Sequence, residues 1–326
     1  MKLTKTLIAA TIVTAVSFGG AVAQAAYPDQ PIKIVVGYSA GGTTDMLART
    51  LAKRLTEQLG QNVVIENKPG AAGSLGAAAV QQASPDGYTL YMATVSTHGI
   101  NPSVYGSKMT YDPINGFEPI SMVAVIPLML IVNNDQPYKT VKELIAYAKQ
   151  NPGKLNYSSS GIGSPVHLGG AMFADAAGIQ MVHIPYKGGK LSNTSVMAGD
   201  TQMSFATMPA ALPLAKAGKV TPMAVTTAKR SSQFPNTPTI EEAGGLSGYE
   251  INTWNALLAP KGTPKAIVDK LNLAVATAMS DPAVIKSFEA VGAEPATSSP
   301  QEVATFIKQQ IAKWTQVVSK LPPMKK

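Results

Sequence analysis

The sequence predicts an α/β protein of two lobes with a helical C-terminal segment. The 326 residues are 45% hydrophobic and 14% charged. That is enough apolar material for two cores, since domains usually hold about 100–200 residues. Short β-branched runs alternate with helical patterns along most of the chain, as expected of parallel sheets with crossover helices. Residues 264–321 have a mainly helical pattern instead.

The composition excludes several kinds of site. The chain has no Cys, so it has no disulfide, no thiolate metal site and no Cys nucleophile. Three histidines are a poor supply for a metal centre, and we predict neither a metal nor a cofactor. The formal net charge is +8, but the lysines are scattered and aromatic residues do not interleave with them. Nucleic acid is therefore not a predicted partner.

Residues 1–25 have the pattern of a secretory signal peptide. Lys2 and Lys5 precede an apolar run to about Val22, and Ala23-Gln24-Ala25 is a small-x-small cleavage site. A membrane anchor is the alternative, but the run is short for a span. No later stretch is apolar enough to span a membrane, so we predict an exported protein.

The segment after the signal peptide has a βαβαβ pattern. Leucines spaced by four residues predict an amphipathic helix that Gly60 ends. β-branched runs on either side predict buried strands. The predicted elements are a strand at 32–36, a helix through 47–59, a strand at 63–65, an Ala-rich helix after 69–73 and a strand at 88–93.

A second series of strands and helices begins after residue 128. Thr140 and Glu143 form a capping box for a helix at 141–150, and Ser164 with Pro165 begins another helix. The further predicted strands are 155–157, 181–185, 202–206 and 223–226. The helix starts predicted in the tail each place a capping residue before a proline, at Thr263, Asp281 and Ser299.

The first loop (residues 37–42) matches G-x-S-x-G between a strand and a helix, which is the pattern of a hydrolase nucleophile elbow. Ser39 would be the nucleophile. Such an enzyme needs a late catalytic His, however, and the last His is His183. The elbow would also lie on the first strand, with no sheet built before it. A serine hydrolase therefore remains an alternative rather than the leading interpretation.

Two other interpretations of the first loop remain open. A Gly-rich turn before a helix can present backbone N–H groups to an anion, or it can be purely structural. Thr43 or Thr44 is expected to cap the helix, with Asp45 in its first turn. The candidate ligand-binding residues here are Tyr38, Ser39, Ala40, Gly41, Gly42 and Thr43.

Two further loops have polar patterns. The second loop (residues 158–164) places hydroxyls and glycines before a helix N-terminus, which suits an anion or a simple helix cap. Val166 replaces the third Gly of a dinucleotide fingerprint, and the chain has no P-loop motif. The third loop (residues 95–99) follows a strand at the same predicted sheet edge. The candidates from these loops are Ser159, Ser160, Gly161, Gly163 and Ser164, with Ser96, Thr97 and His98.

An arginine clamp on a carboxylate is not expected. The three arginines, Arg49, Arg54 and Arg230, lie outside the candidate loops. Tyr186 and Lys187 follow a predicted strand, and Lys187 is the best candidate for a supplementary positive charge, with an exposed, solvated Lys as the alternative. A structural role is the alternative for each histidine in these loops.

The motifs together resemble the Bug family, the periplasmic solute-binding proteins of tripartite tricarboxylate transporters. The resemblance covers nearly all of the chain after the signal peptide. The segments that carry it are Tyr-Pro-x-x-Pro-Ile at 27–32, Ala-Gly-Gly-Thr-Thr-Asp at 40–45, Glu-Asn-Lys-Pro-Gly-Ala-Ala-Gly at 66–73, Pro-Asp-Gly-Tyr-Thr-Leu at 85–90, Gly-Ile-Gly-Ser at 161–164, His-Ile-Pro-Tyr-Lys-Gly at 183–188 and Ala-Pro-Lys-Gly-Thr-Pro at 259–264.

The resemblance implies a type II periplasmic-binding-protein fold with a ligand cleft between the two α/β lobes. Lobe 1 would comprise 26–124 plus 250–326, and lobe 2 would comprise 125–249. Crossing strands are expected near 120–125 and 249–254. The cleft would close by a hinge motion on a small carboxylate-type organic anion, held largely by main-chain groups and water.

The resemblance also implies partners: the membrane subunits of a tripartite transporter, with the receptor itself a monomer. A ligand sensor for a signalling receptor is an alternative function, and no enzymatic activity is expected. Thr207 is a candidate pocket residue at a position where some relatives carry Asp. Its lack of charge disfavours acidic amino acids as ligands.

Overall fold

The computed structural model describes residues 27–231 and 233–321. The predicted signal peptide therefore lies outside the described residues. Within the two described ranges, none of the helices combines the length and the apolar character that crossing a bilayer requires.

The described strands form one mixed sheet with two parallel ends and an antiparallel middle. The strands are β1 (Ile32–Val36), β2 (Val63–Asn67), β3 (Thr89–Thr94), β4 (Phe117–Val132), β5 (Leu155–Ser159), β6 (Met181–Pro185), β7 (Met203–Thr207), β8 (Thr221–Val225), β9 (Asn252–Pro260) and β10 (Glu294–Pro295). Their order is β2-β1-β3-β9-β4-β7-β5-β6, with β8 and β10 also paired to β4. β1 is parallel to β2 and β3, and β5 is parallel to β6 and β7, as the βαβ pattern predicts.

The α-helices connect these strands and cover the faces of the sheet. They are α1 (Thr43–Leu59), α2 (Ser74–Gln81), α3 (Asn101–Tyr105), α4 (Val141–Gln150), α5 (Pro165–Ala177), α6 (Gly189–Ala198), α7 (Met208–Lys216), α8 (Ile240–Gly244), α9 (Lys265–Met279), α10 (Pro282–Ala290) and α11 (Pro300–Lys320). The last three make up the helical C-terminal segment, in which the short β10 lies between α10 and α11.

The long strand β4 runs through both halves of the sheet. It pairs with β9 from Phe117 to Pro127 and with β7 from Leu128 to Val132. Its mainly buried apolar run is typical of a strand covered on both faces. The change of partner lies close to the predicted crossing at 120–125. The boundaries of the lobes themselves stay predictions.

The hydrophobic core follows this division. Leu51 of α1 and Leu271 of α9 are fully buried in a cluster that belongs to the first half. A larger cluster continues from the first half into the second and includes Trp254 of β9 and Phe205 of β7. Trp314 joins this larger cluster, so α11 packs on the body of the protein. β1 and β3 contribute residues to both clusters, so the strands that carry the first and third loops are fixed from both faces.

Most predicted helix caps are confirmed. Side-chain caps are present at the starts of α4, α5, α10 and α11, on Thr140, Ser164, Asp281 and Ser299. Two expectations are wrong. Neither Thr43 nor Thr44 caps α1, because the N-cap is Gly42, which provides no side-chain bond. Thr263 donates its hydroxyl proton to the carbonyl of Pro260, and Pro264 occupies the N-cap of α9.

Candidate functional site

A cavity of about 260 Å³ lies between the two halves of the sheet. The first half lines it with Tyr38, Ala72, Ser96 and Tyr105; the second half lines it with Ser160, Gly161, Ile162, Ser164, Pro185, Tyr186 and Lys187. These residues follow the carboxyl ends of β1, β2, β3, β5 and β6, the edge where open α/β sheets bind ligands. Pockets for drug-sized ligands usually measure about 300–1,000 Å³, so this cavity suits a small solute.

The cavity brings together residues from all three predicted loops. Seven of the predicted residues line it: Tyr38, Ser96, Ser160, Gly161, Ser164, Tyr186 and Lys187. The other ten lie outside its lining: Ser39, Ala40, Gly41, Gly42, Thr43, Thr97, His98, Ser159, Gly163 and Thr207. The lining residues that sequence reasoning missed are Ala72, Tyr105, Ile162 and Pro185.

Thr97 and His98 belong to the core rather than to the cavity. Both are fully buried. The His98 ring packs edge-on against Phe117, with ring centroids 4.9 Å apart, and its Nδ1 is 2.9 Å from the Thr97 hydroxyl. Burial lowers the pKa of His98 to about 3, so the ring is neutral at pH 7. These contacts favour the structural role that is the alternative for His98, which lies outside the cavity lining.

The first loop is held by a buried carboxylate. Asp45 is 2% exposed and accepts a hydrogen bond from the Gly41 N–H at 2.9 Å. Arg49 and Asn67 donate to the same carboxylate, and Asn67 also donates to the carbonyl of Tyr38. Burial opposes ionisation of Asp45, but the bonds from Arg49, Gly41 and Asn67 prevail and hold its pKa below the usual range. Asp45 thus fixes the turn beside Tyr38.

The second loop also satisfies its own backbone. Ser158 and Ser159 belong to β5, and the loop proper begins at Ser160. The Gly161 N–H donates to the Ser159 hydroxyl at 3.1 Å, and the Gly163 N–H donates to Nδ1 of His167 at 3.2 Å. The Ser164 N–H donates to the carbonyl of Gly161.

These bonds change the expected mode of anion binding. The amide groups of Gly41, Gly161, Gly163 and Ser164 already have protein acceptors. The expectation that these N–H groups face a ligand is therefore not met in this structure.

Hydroxyl groups and one ammonium group supply the polar lining. The Ser164 hydroxyl accepts the N–H of His167, which leaves its own proton for another acceptor. The half-buried Ser160 and Tyr186 add two further hydroxyls. Lys187 is the charged residue of the lining, and within the described residues no acidic side chain forms a salt bridge with it. The cavity therefore favours an anion rich in acceptor oxygens.

Two contacts join the halves beside the cavity. The hydroxyls of Thr43 and Thr207, at the start of α1 and the end of β7, are 2.8 Å apart. Gly163 lies against Val104 of α3. A Cβ added to Gly163 would be 3.5 Å from Cγ2 of Val104, which is ordinary van der Waals contact. The two walls are thus in contact at their rims, which is the arrangement expected of a closed cleft. Thr207 contacts Thr43 across the cleft and lies outside the lining of the cavity.

A hydrolase site at Ser39 does not form. Ser39 is exposed. The three imidazoles have other partners: His98 bonds Thr97, His167 bonds Gly163 and His183 bonds Ser159. A nucleophilic serine needs a base within hydrogen-bond reach, and no imidazole within the described residues is placed to activate Ser39.

Comparisons with known proteins agree with this fold. The sequence profile of the "Tripartite tricarboxylate transporter family receptor" matches residues 47–322. The chain is similar to a structure from R. palustris, Rpa4515 with adipate, at 38% identity and a TM-score of 0.87 over 90% of this chain and 97% of the other. It is similar to the periplasmic binding protein BugD at 35% identity and a TM-score of 0.86, over 92% and 100% of the two chains.

A third structure, MatC from Rhodopseudomonas palustris with bound malate, is 29% identical with a TM-score of 0.84, over 90% and 100% of the two chains. The predicted two-lobed periplasmic-binding fold and the predicted family are confirmed. Neither the hydrolase nor the sensor interpretation gains support from these relatives. The chain belongs to the tripartite tricarboxylate transporter family of receptors, the periplasmic solute-binding proteins that include the Bug proteins.

Proposed function

We propose that this protein captures a small organic anion with one or more carboxylates in the periplasm and presents it to the membrane subunits of a tripartite transporter. The observation that carries the proposal is the chemistry of the cavity. Hydroxyl donors converge there with Lys187, a cation without an acidic partner among the described residues. The chain acts by binding, as a monomer, and catalyses no reaction.

The relatives support the class of ligand. Rpa4515 was solved with adipate and MatC with malate, and both are dicarboxylates. A carboxylate accepts hydrogen bonds only, which matches a lining of donors. The contact between Thr43 and Thr207 joins the two sides of the cleft and so supports a closed form of the protein. A ligand that binds the closed form better than the open form shifts the equilibrium toward closure.

A thermal-shift screen tests the proposal. The exported chain (residues 26–326) is scanned against carboxylates, amino acids and neutral sugars, and mass spectrometry of a denatured sample reveals any co-purified ligand. A ligand at 100 times its Kd stabilises a protein by about 2.7 kcal/mol, which corresponds to a shift of several degrees. Selective shifts with carboxylates are expected. A ligand-free protein that responds to sugars and to no carboxylate contradicts the proposal.

Replacing Lys187 with Met is expected to weaken dicarboxylate binding about tenfold or more, because a hydrogen bond to a charged group is worth about 1.5–3 kcal/mol. Met keeps much of the apolar stem and removes the charge. The measurement is calorimetric titration with malate and adipate. Lys190→Met is the control, since Lys190 is an exposed residue of α6 outside the cavity lining. Equal losses in both variants would mean that Lys187 does not contact the anion.

A further inference from the structure

The second loop rests on a stacked pair of imidazoles. The rings of His167, in the first turn of α5, and His183, on β6, lie with centroids 3.8 Å apart and planes 20° apart. Tyr157 of β5 stacks on His183 at 5.0 Å. The pair lies directly behind the loop, because each imidazole bonds a residue at one end of it: His183 bonds Ser159 at 2.6 Å, and His167 bonds Gly163 at 3.2 Å.

The bond from Gly163 fixes the protonation state of His167. A backbone N–H can only donate, so Nδ1 of His167 must offer a lone pair and any ring proton must lie on Nε2. Protonation of Nδ1 would turn the acceptor into a donor and leave the Gly163 N–H without a partner. It would also place a charge against the neighbouring ring of His183.

The surroundings favour the neutral pair. Burial lowers the pKa of His167 to about 4, and burial together with His167 lowers the pKa of His183 to about 3. Within the described residues, Tyr157 of β5 is the other titratable group whose ring stacks on the two imidazoles. The strand β7, which packs on α5, has no titratable residue. Along the chain after His183, the first charged residue is Lys187, four positions further on.

We propose that His167 is a positioning residue for ligand capture: its unprotonated Nδ1 accepts the Gly163 N–H and thereby holds the second loop in the shape that directs Ser160 and Ser164 into the cavity. Gly163 has a φ of +75°, a conformation that glycine adopts readily and that residues with a side chain rarely adopt. His183 has the matching role at the Ser159 end of the loop. The link to capture rests on the proposed function.

Nuclear magnetic resonance tests the hydrogen bond without any ligand. Long-range imidazole ¹⁵N spectra at pH 7 are expected to show an unprotonated Nδ1 and a protonated Nε2 for His167. The Gly163 amide is expected to titrate together with His167, well below the usual histidine range. A proton on Nδ1 of His167 at pH 7, or a Gly163 amide that ignores the titration, would overturn the proposal.

Two variants separate positioning from packing. In His167→Asn the amide oxygen can take the place of Nδ1, whereas His167→Leu fills the space without an acceptor. His167→Leu is expected to shift the Gly163 and Ser164 amides and to weaken malate or adipate binding about tenfold. His167→Asn is expected to keep both within about threefold of the unmodified protein. If the two variants behave alike, His167 acts by packing only and the proposal fails.

The two proposals can fail separately. If the unmodified chain binds neither malate nor adipate nor any other carboxylate, the proposed function fails. The amide shifts of Gly163 and Ser164 in the two variants still decide whether His167 holds the loop. If carboxylates bind and both variants keep normal amide shifts and affinity, the positioning role fails and the proposed function stands.

Discussion

Lowering the pH from 7 to about 4.5 is expected to lower the melting temperature of the exported chain by about 10 °C. His98 and His167 are buried and His183 is half-buried, and their pKa values fall to about 3, 4 and 3, respectively. In the unfolded chain each would titrate near 6.5. A loss of 1 kcal/mol in the free energy of unfolding lowers the melting temperature by about 2–4 °C in domains of 150–250 residues. Three such groups together therefore give a large effect.

The direction follows from proton binding. Between pH 6.5 and the folded-state pKa values, the unfolded chain binds more protons than the folded chain. The free energy of unfolding therefore falls as the pH falls through this window, and it levels off with respect to these groups below pH 3. The stabilisation from neutral imidazoles is complete above about pH 7.

The measurement is a series of calorimetric scans between pH 7.5 and 4.5. His98→Leu is the informative variant, because His98 lies in the aromatic core and not beside the cavity. This variant is expected to lose roughly a third of the pH dependence. A melting temperature that stays constant from pH 7 to 4.5 would contradict the burial of neutral imidazoles.

Replacing Asp45 with Ala is expected to lower the free energy of unfolding by about 2–3 kcal/mol and to weaken carboxylate binding at least tenfold. The change removes the acceptor of the Gly41 N–H and leaves Arg49 and Asn67 without their carboxylate. A hydrogen bond to a charged group contributes about 1.5–3 kcal/mol, and water can replace part of this loss because the Arg49 side chain is 52% exposed. The Asn67 amide donates both to Asp45 and to the carbonyl of Tyr38. Without Asp45 this amide is no longer held in place, and Tyr38 then loses its fixed position at the cavity wall.

Urea unfolding and calorimetric titration with malate and adipate measure the two effects. Glu57→Ala is the matched control, since Glu57 is an exposed carboxylate of the same helix that pairs with Arg54. Exposed ion pairs contribute about 0–1 kcal/mol, so this control is expected to change little. If Asp45→Ala loses no more stability or affinity than Glu57→Ala, Asp45 does not organise the first loop.

The sequence predicted elements that depend on local chemistry. The capping box of Thr140 and Glu143 and the Ser164-Pro165 helix start involve residues within three positions of each other, and both are present. Prediction was wrong where a hydroxyl has a distant partner. Thr43 was expected to cap α1, but its hydroxyl bonds Thr207, 164 residues away, and no local pattern announces such a pair.

The candidate site was predicted only in part, because it too combines local patterns with distant contacts. Polar residues after strands identified three of the loops that meet at the cavity. The polarity of His98 suggested a ligand contact, yet its partners are aromatic residues brought from β3 and β4 by folding. Ala72 and Tyr105 line the cavity without any chemical pattern of their own. Ala72 was inside a recognised Gly-rich turn, and its positive φ of 52° could not be read from the sequence.

The most direct test of the central claim is a crystal structure of the exported chain grown with the carboxylate that gives the largest thermal shift. We expect density for the ligand between the two halves of the sheet, with its carboxylate accepting hydrogen bonds from Ser160 or Ser164 and its other oxygens facing Lys187. Density outside this cavity, or a ligand whose carboxylates contact none of these groups, would contradict the account.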